Sequence, residues 1–164
     1  MNQQSFNTAI PTSSDIKILG ADPGKYGGIA VIDGRLNVLG AISMPKGING
    51  RAIAKFTLKH KPDIAIIEKV GSRPKDGHMN SFTFGRNTGK LIGVVEVFVN
   101  DMVEVHPNTW KSNLKLNRSG KEGSVKLANM IFNRSFRIEN EGIAEALLIA
   151  YWGLLTQTGP TMVN

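Results

Sequence analysis

Three short apolar segments near the start of the chain, joined by tight turns, constrain its fold more than any other feature. The segment 16–21 ends in Asp22-Pro23-Gly24, the segment 28–32 ends in Asp33-Gly34, and a third segment runs over 36–42. Runs of this length that are rich in Ile and Val form strands, and Asp-Pro-Gly and Asp-Gly are turn sequences. Connections this short join antiparallel neighbours. The sequence therefore predicts a three-stranded antiparallel meander, which excludes a helical bundle.

The rest of the chain alternates between helical and extended patterns. We predict helices over 50–60, 81–100, 107–114, 121–132 and 141–156, strands over 64–67 and 102–105, and a loop over 71–80. Helices between strands supply the crossovers that parallel strands need, which excludes an all-β fold. The order βββαβαβααα predicts an α/β domain with a mixed five-stranded sheet, in which an antiparallel hairpin and parallel strands are flanked by helices.

The length of 164 residues favours one domain with one core. Residues 1–14 are polar and predict a flexible leader, 15–158 form the domain, and 159–164 form a C-terminal tail. The absence of cysteine excludes disulfides, a thiolate nucleophile and cysteine-based zinc sites. No apolar run approaches the ~18 residues of a membrane span, and no signal peptide follows Met1. We therefore expect a cytoplasmic protein without a membrane partner.

The chain has 20 Lys plus Arg against 13 Asp plus Glu, a formal charge of +7. Such an excess favours a polyanionic partner, because lysines that face phosphates release condensed counterions. A solvated basic surface without a partner is the alternative. The predicted DNA-binding residues fall in two stretches, which are Lys69, Arg73, Lys75, Arg86 and Lys90, and Lys111, Lys115, Arg118 and Lys121.

Four carboxylates stand where a catalytic site is expected. Asp22 follows the first strand, Glu68 follows the fourth, and Glu141 and Glu145 share one face of the last helix. Parallel strands present their carboxyl ends at one edge of a sheet, where α/β proteins place their sites. Converging carboxylates suit Mg²⁺ or Mn²⁺, and two such ions can hydrolyse a phosphodiester. Singly, each acid could instead cap a turn, end a strand in solvent or offset a helix dipole.

Several motifs, in this order along the chain, resemble those of the RuvC-like Holliday-junction resolvases, and the compact form is most similar to bacteriophage members. They are Gly20-Ala21-Asp22-Pro23-Gly24, 28–32, Ile66-Ile67-Glu68-Lys69-Val70, 81–93, 105–111, Gly120-Lys121-Glu122 and 141–152. The resemblance covers roughly 16–156. It implies a ribonuclease H-like fold and a homodimer that cuts four-way and other branched DNA by paired symmetric nicks. Two Mg²⁺ per site are implied, Mn²⁺ is expected to substitute, and no small-molecule cofactor is needed.

The resemblance also assigns roles. The acids that hold the metals fall on Asp22, Glu68, Glu141 and Glu145, and two DNA-contacting lysines fall on Lys111 and Lys121. The family commonly has aspartate at one or both final-helix positions, so Asn140 rather than Glu141 could be the first equivalent. Some members carry an aromatic wedge where this chain has Gly71, which leaves Phe82, Phe84 or the loop before them to unstack the junction.

Gly85, Gly89 and Gly93 recur on one face of the long helix, where each costs about 1 kcal/mol relative to alanine. We interpret this face as the dimer contact, with packing against the protein's own sheet as the alternative. His78 could assist proton transfer, although a solvent-exposed loop histidine is the commoner case.

Two rival functions remain open from the sequence. One is a junction-binding protein with little or no cleavage, which the Glu-for-Asp changes and Asn140 favour. The other is an actin-like phosphotransferase fragment, since Asp22-Pro23-Gly24 before a Gly-rich hairpin resembles a phosphate-binding element. Such phosphotransferases need two domains of this kind, and the chain lacks the Lys-Ser/Thr of a P-loop.

Overall fold

A computed structural model describes residues 14–46, 48–71 and 77–157. The strands are β1 (Lys17–Asp22), β2 (Gly28–Asp33), β3 (Val38–Ser43), β4 (Ile64–Glu68) and β5 (Asp101–Val105). The helices are α1 (Gly50–His60), α2 (His78–Glu96), α3 (Pro107–Asn113), α4 (Gly120–Phe132) and α5 (Glu141–Gln157), with a 3-10 turn at Ile138–Asn140. Residues 1–13 of the predicted leader and the predicted tail lie outside the described residues.

The five strands form one sheet in the order β3-β2-β1-β4-β5. β1 pairs antiparallel with β2, and β2 pairs antiparallel with β3. β4 lies parallel to β1 on one side and to β5 on the other. The mixed sheet flanked by helices therefore confirms the predicted fold class. Because β1 and β4 are parallel neighbours, their carboxyl ends lie side by side at one edge of the sheet.

Apolar side chains alternate between the two faces of β1 and build a core on each face. Ile18 faces the helices α3, α4 and α5, whereas Leu19 and Ala21 face α1 and α2. Gly20 lies directly beneath α5, where an added Cβ would come 2.1 Å from the carbonyl oxygen of Ala146. Only glycine permits this close approach, and it seats α5 across the centre of the sheet.

Three predicted boundaries are wrong. β3 begins at Val38 because Leu36 has a φ of +65° and belongs to the preceding turn, which the Asp33 carboxylate closes by accepting the Arg35 and Asn37 amides. α2 begins at His78, so the last three residues of the predicted loop 71–80 are helical.

The end of α2 also differs from the prediction. The helix stops at Glu96 rather than near residue 100, because the amides of Phe98 and Val99 both return to the carbonyl oxygen of Val95 in a tight turn. Within the described ranges, no helix combines the length and apolar character needed to cross a membrane.

Candidate active site

Asp22 and Glu68 end adjacent parallel strands. Ala21 of β1 is in register with Ile67 of β4, so the two acids that follow lie side by side at the sheet edge. Both side chains are half-buried. One Asp22 oxygen, Oδ1, accepts the backbone N–H of Gly24 at 2.8 Å, which fixes the carboxylate over the β1–β2 turn.

Glycines bring the start of α5 against this turn. Gly27 forms a bridge with Gly142, and a Cβ on Gly142 would lie 1.9 Å from the carbonyl oxygen of Tyr26. A Cβ on Gly28 would likewise lie 2.6 Å from the carbonyl oxygen of Gly142. Because these backbones touch, the first turns of α5 lie next to Asp22.

Glu141 and Glu145 project from those turns, and each holds a lysine. Glu145 is 7% exposed and accepts a hydrogen bond from Ser124 Oγ at 2.9 Å. Its Oε1 also lies 2.8 Å from Lys111 Nζ. Glu141 forms a close ion pair with Lys121, and this pairing raises the pKa of Lys121. Two ammonium groups therefore neutralise the two acids of α5.

The charge of Asp22 interacts with those of the other three acids. Burial raises the pKa of Asp22 from 3.8 to about 6, and the charges of Glu145 and Glu141 add to that rise. Burial raises the pKa of Glu68 from 4.5 to about 7, and the charge of Asp22 is the next cause. The Gly24 amide and Lys111 partly offset the rise for Asp22. A nearby cation would stabilise the charged form of carboxylates whose pKa is raised in this way.

Two side chains that the sequence analysis did not assign to the site support these acids. Trp110 is fully buried, and its indole Nε1 donates to Glu68 Oε2 at 2.8 Å, which lowers the pKa of Glu68 against the effect of burial. Ser124 orients Glu145. The sequence signal for Trp110 was its place in the Pro-x-x-Trp segment after β5, whereas nothing local distinguishes Ser124.

The donor set fits a hard divalent cation in its chemistry, because all four acids offer oxygen and two have raised pKa values. In the described part of the chain, however, no three His, Asp or Glu side chains form a group that could hold a metal ion as they stand. In this arrangement ammonium groups hold Glu141 and Glu145. Cation binding would require Lys111 and Lys121 to leave those carboxylates.

The remaining predicted basic residues are distributed over two surfaces. Arg118 lines a cavity of about 300 Å³ beside the acids, together with Lys111 and Lys121. Lys115 is exposed nearby but does not line that cavity, and Lys69, Arg86 and Lys90 are exposed at the end of β4 and along α2. Arg73 and Lys75 lie outside the described residues.

The structure also places the other residues that the sequence analysis named. Glu141 carries the charge that acts on Asp22, while Asn140 is exposed in the turn before α5. Gly71 and His78 are exposed. Within the described part of the chain, a Cβ on Gly85, Gly89 or Gly93 would meet nothing within 4 Å. The alternative that these glycines pack against their own sheet is therefore wrong, and the dimer contact stays a prediction.

The sequence matches no protein-family model, and no curated protein matches it in sequence. Solved structures do match its fold. RuvC from Thermus thermophilus, in complex with a Holliday junction substrate, superposes with a TM-score of 0.70 at 15% identity, over 88% of this chain and 96% of that one. Another structure of Thermus thermophilus RuvC has a TM-score of 0.65 at 14% identity, over 88% and 97% of the two chains.

A yeast mitochondrial Holliday junction resolvase is similar with a TM-score of 0.57 at 11% identity, over 91% of this chain and 82% of the other. The chain therefore has a ribonuclease H-like fold. In particular, it is the fold of the RuvC-like resolvases, as the motif resemblance implied.

Proposed function

We propose that this protein is a metal-dependent, structure-selective endonuclease that resolves four-way and other branched DNA junctions by paired symmetric nicks. One observation carries the proposal. Asp22 at the end of β1 lies within electrostatic reach of Glu68 at the end of β4 and of Glu141 and Glu145 on the first turns of α5. The fold shared with junction resolvases supports the choice of DNA junctions as the substrate.

The four acids would hold two Mg²⁺ ions, with Mn²⁺ as a substitute. When bound, such ions activate water and stabilise the leaving oxygen in phosphodiester hydrolysis. The chain itself holds the acids in place. Trp110 orients Glu68, Ser124 orients Glu145, and the Gly24 amide orients Asp22. These hydrogen bonds limit the side-chain motion that would otherwise have to be lost on substrate binding.

Lys111 and Lys121 would have different partners in the metal-free and the DNA-bound states of the site. Without a cation they neutralise Glu145 and Glu141. Both line the cavity beside the acids with Arg118, so a phosphate entering there would offer each ammonium a new partner. DNA binding would in this way free the carboxylates that the metal needs. In its present position Lys111 Nζ also lies 5.0 Å from the centroid of the Trp110 ring, within the range of a cation–π contact.

The substrate's symmetry favours a homodimer, because paired nicks need two equivalent sites. The open glycine face of α2 supports a second copy as its partner. Met79 and Phe82 near the start of the same helix are 76% and 67% exposed, so apolar surface is available beside the glycines.

A junction-binding protein without cleavage is the second candidate. The ion pairs of Glu141 and Glu145 with lysine favour it, because the site is already neutralised without any metal.

The test is a synthetic mobile four-way junction, labelled on each strand in turn, incubated with Mg²⁺ or Mn²⁺. Paired nicks at symmetric positions, lost in Asp22→Asn and retained in Asp101→Asn, would support the endonuclease. Asp101 is a matched control because it is exposed at the start of β5, whereas Asp22 and Glu68 lie at the ends of β1 and β4. Robust nicking by Asp22→Asn would contradict the proposed endonuclease site. Tight junction binding without nicks in either metal would favour the second candidate.

A further inference from the structure

Tyr26 is an exposed aromatic residue held next to the proposed catalytic acids. It lies in the β1–β2 turn, is 78% exposed, and is a member of neither hydrophobic core. Burial therefore does not account for an aromatic side chain at this position. A polar residue in this turn would expose less apolar surface to water.

The backbone of Tyr26 is held between two of the acids. On one side, a Cβ on Gly27 would lie 2.8 Å from the carboxyl carbon of Asp22. On the other side, the carbonyl oxygen of Tyr26 abuts Gly142, the residue after Glu141. The turn is closed by hydrogen bonds from the Gly27 amide to Gly24 and from the Met44 amide to Gly27. The backbone that carries the ring is therefore held beside the site.

The surroundings of the ring suit a nucleotide. Lys25 Nζ lies 5.1 Å from the ring centroid, within the range of a cation–π contact. Such a pair offers a stacking surface for a base and a positive charge for the adjoining phosphate. Stacking on aromatic side chains is tolerant of sequence, because every base has a π-face.

We propose that Tyr26 stacks on an unpaired or unstacked base next to the scissile phosphate and so selects branch points over continuous duplex. In a duplex the bases are stacked on one another and present no free face, whereas a branch point exposes one at low cost. The inference rests on the proposed endonuclease function and adds the residue that recognises its substrate. Lys25 is the second member of the contact and holds the neighbouring phosphate.

The test measures binding in EDTA, so that no strand is cut, to a four-way junction with 2-aminopurine at the branch point and to a duplex of the same sequence. We expect Tyr26→Ala to lower the preference for the junction by about 5- to 150-fold, the range for loss of one stacked base. Tyr26→Phe retains the ring. It should keep both the preference for the junction and the change in 2-aminopurine fluorescence on binding, whereas Tyr26→Leu should lose both. Because Tyr26 is exposed, all three variants should unfold at the wild-type temperature.

Tyr26→Phe is the matched control for loss of the ring, and Phe82→Ala tests the rival stacking residue, an exposed aromatic of α2. Loss of the signal in Phe82→Ala but not in Tyr26→Ala overturns the proposal, as does an equal loss of junction and duplex binding in Tyr26→Ala. If wild type itself shows no preference for the junction, the proposed function fails and this inference fails with it. If wild type prefers the junction and Tyr26→Ala keeps that preference, only this inference fails.

Discussion

Replacing Asp22 by asparagine should stabilise the metal-free protein at neutral pH while abolishing its activity. Asparagine keeps the shape of the side chain and an oxygen for the Gly24 amide. It removes a charge that burial and the neighbouring acids disfavour. Active sites often hold charges at the expense of stability in this way.

The magnitude follows from the pKa. A rise from 3.8 to about 6 corresponds to an upper limit of about 3 kcal/mol, since one pKa unit is about 1.4 kcal/mol. An acid whose pKa is raised in the folded state binds more protons there than in the unfolded chain. The wild type therefore loses stability as pH rises from about 4 to about 6, and the loss is complete above that range. Asparagine is neutral throughout, so its advantage should be absent near pH 4 and full near pH 8.

The assay is urea unfolding at pH 4, 6 and 8 in EDTA, followed by the fluorescence of the buried tryptophans Trp110 and Trp152. Asp101→Asn, which removes an exposed carboxylate at the start of β5, is the control. Adding Mg²⁺ should stabilise the wild type, because a ligand that binds only the folded state shifts unfolding, and should not stabilise Asp22→Asn. A variant that is less stable than wild type by the same amount at all three pH values would refute the electrostatic reasoning.

Three further outcomes follow from other contacts. Trp110→Phe removes the donor to Glu68, so the pKa of Glu68 should rise further above about 7 and the acid limb of the nicking-rate profile should move to higher pH by about one unit, as for loss of a hydrogen bond to a charge. Gly20→Ala places a Cβ against the backbone of α5 and should lower the unfolding free energy by about 3 kcal/mol or prevent folding, measured by urea titration. Lys111→Ala and Lys121→Ala should each reduce the slope of log Kd against log salt by about one, and unchanged slopes would remove them from the phosphate surface.

The helix and strand order could be predicted because its signals are local. Turn residues after 16–21 and 28–32, and the alternation of helical and extended patterns, depend only on neighbours in the chain. The errors fell where a single backbone conformation decides a boundary. Leu36 adopts a positive φ that side-chain patterns do not signal, and the start of α2 at His78 depends on the carbonyl oxygen of Gly77 accepting the amides of Asn80 and Ser81.

Local patterns were enough to show that two strands end in acids, Asp22 and Glu68, and to predict that these acids share one edge of a mixed sheet. What each acid touches depends on contacts between residues far apart in the chain. Trp110 and Glu68 are 42 residues apart in the chain, and the ion pair of Lys121 with Glu141 spans 20. The physical reason is that such contacts depend on how α3, α4 and α5 pack over the sheet. Packing sets burial, and burial raises the pKa values of Asp22 and Glu68.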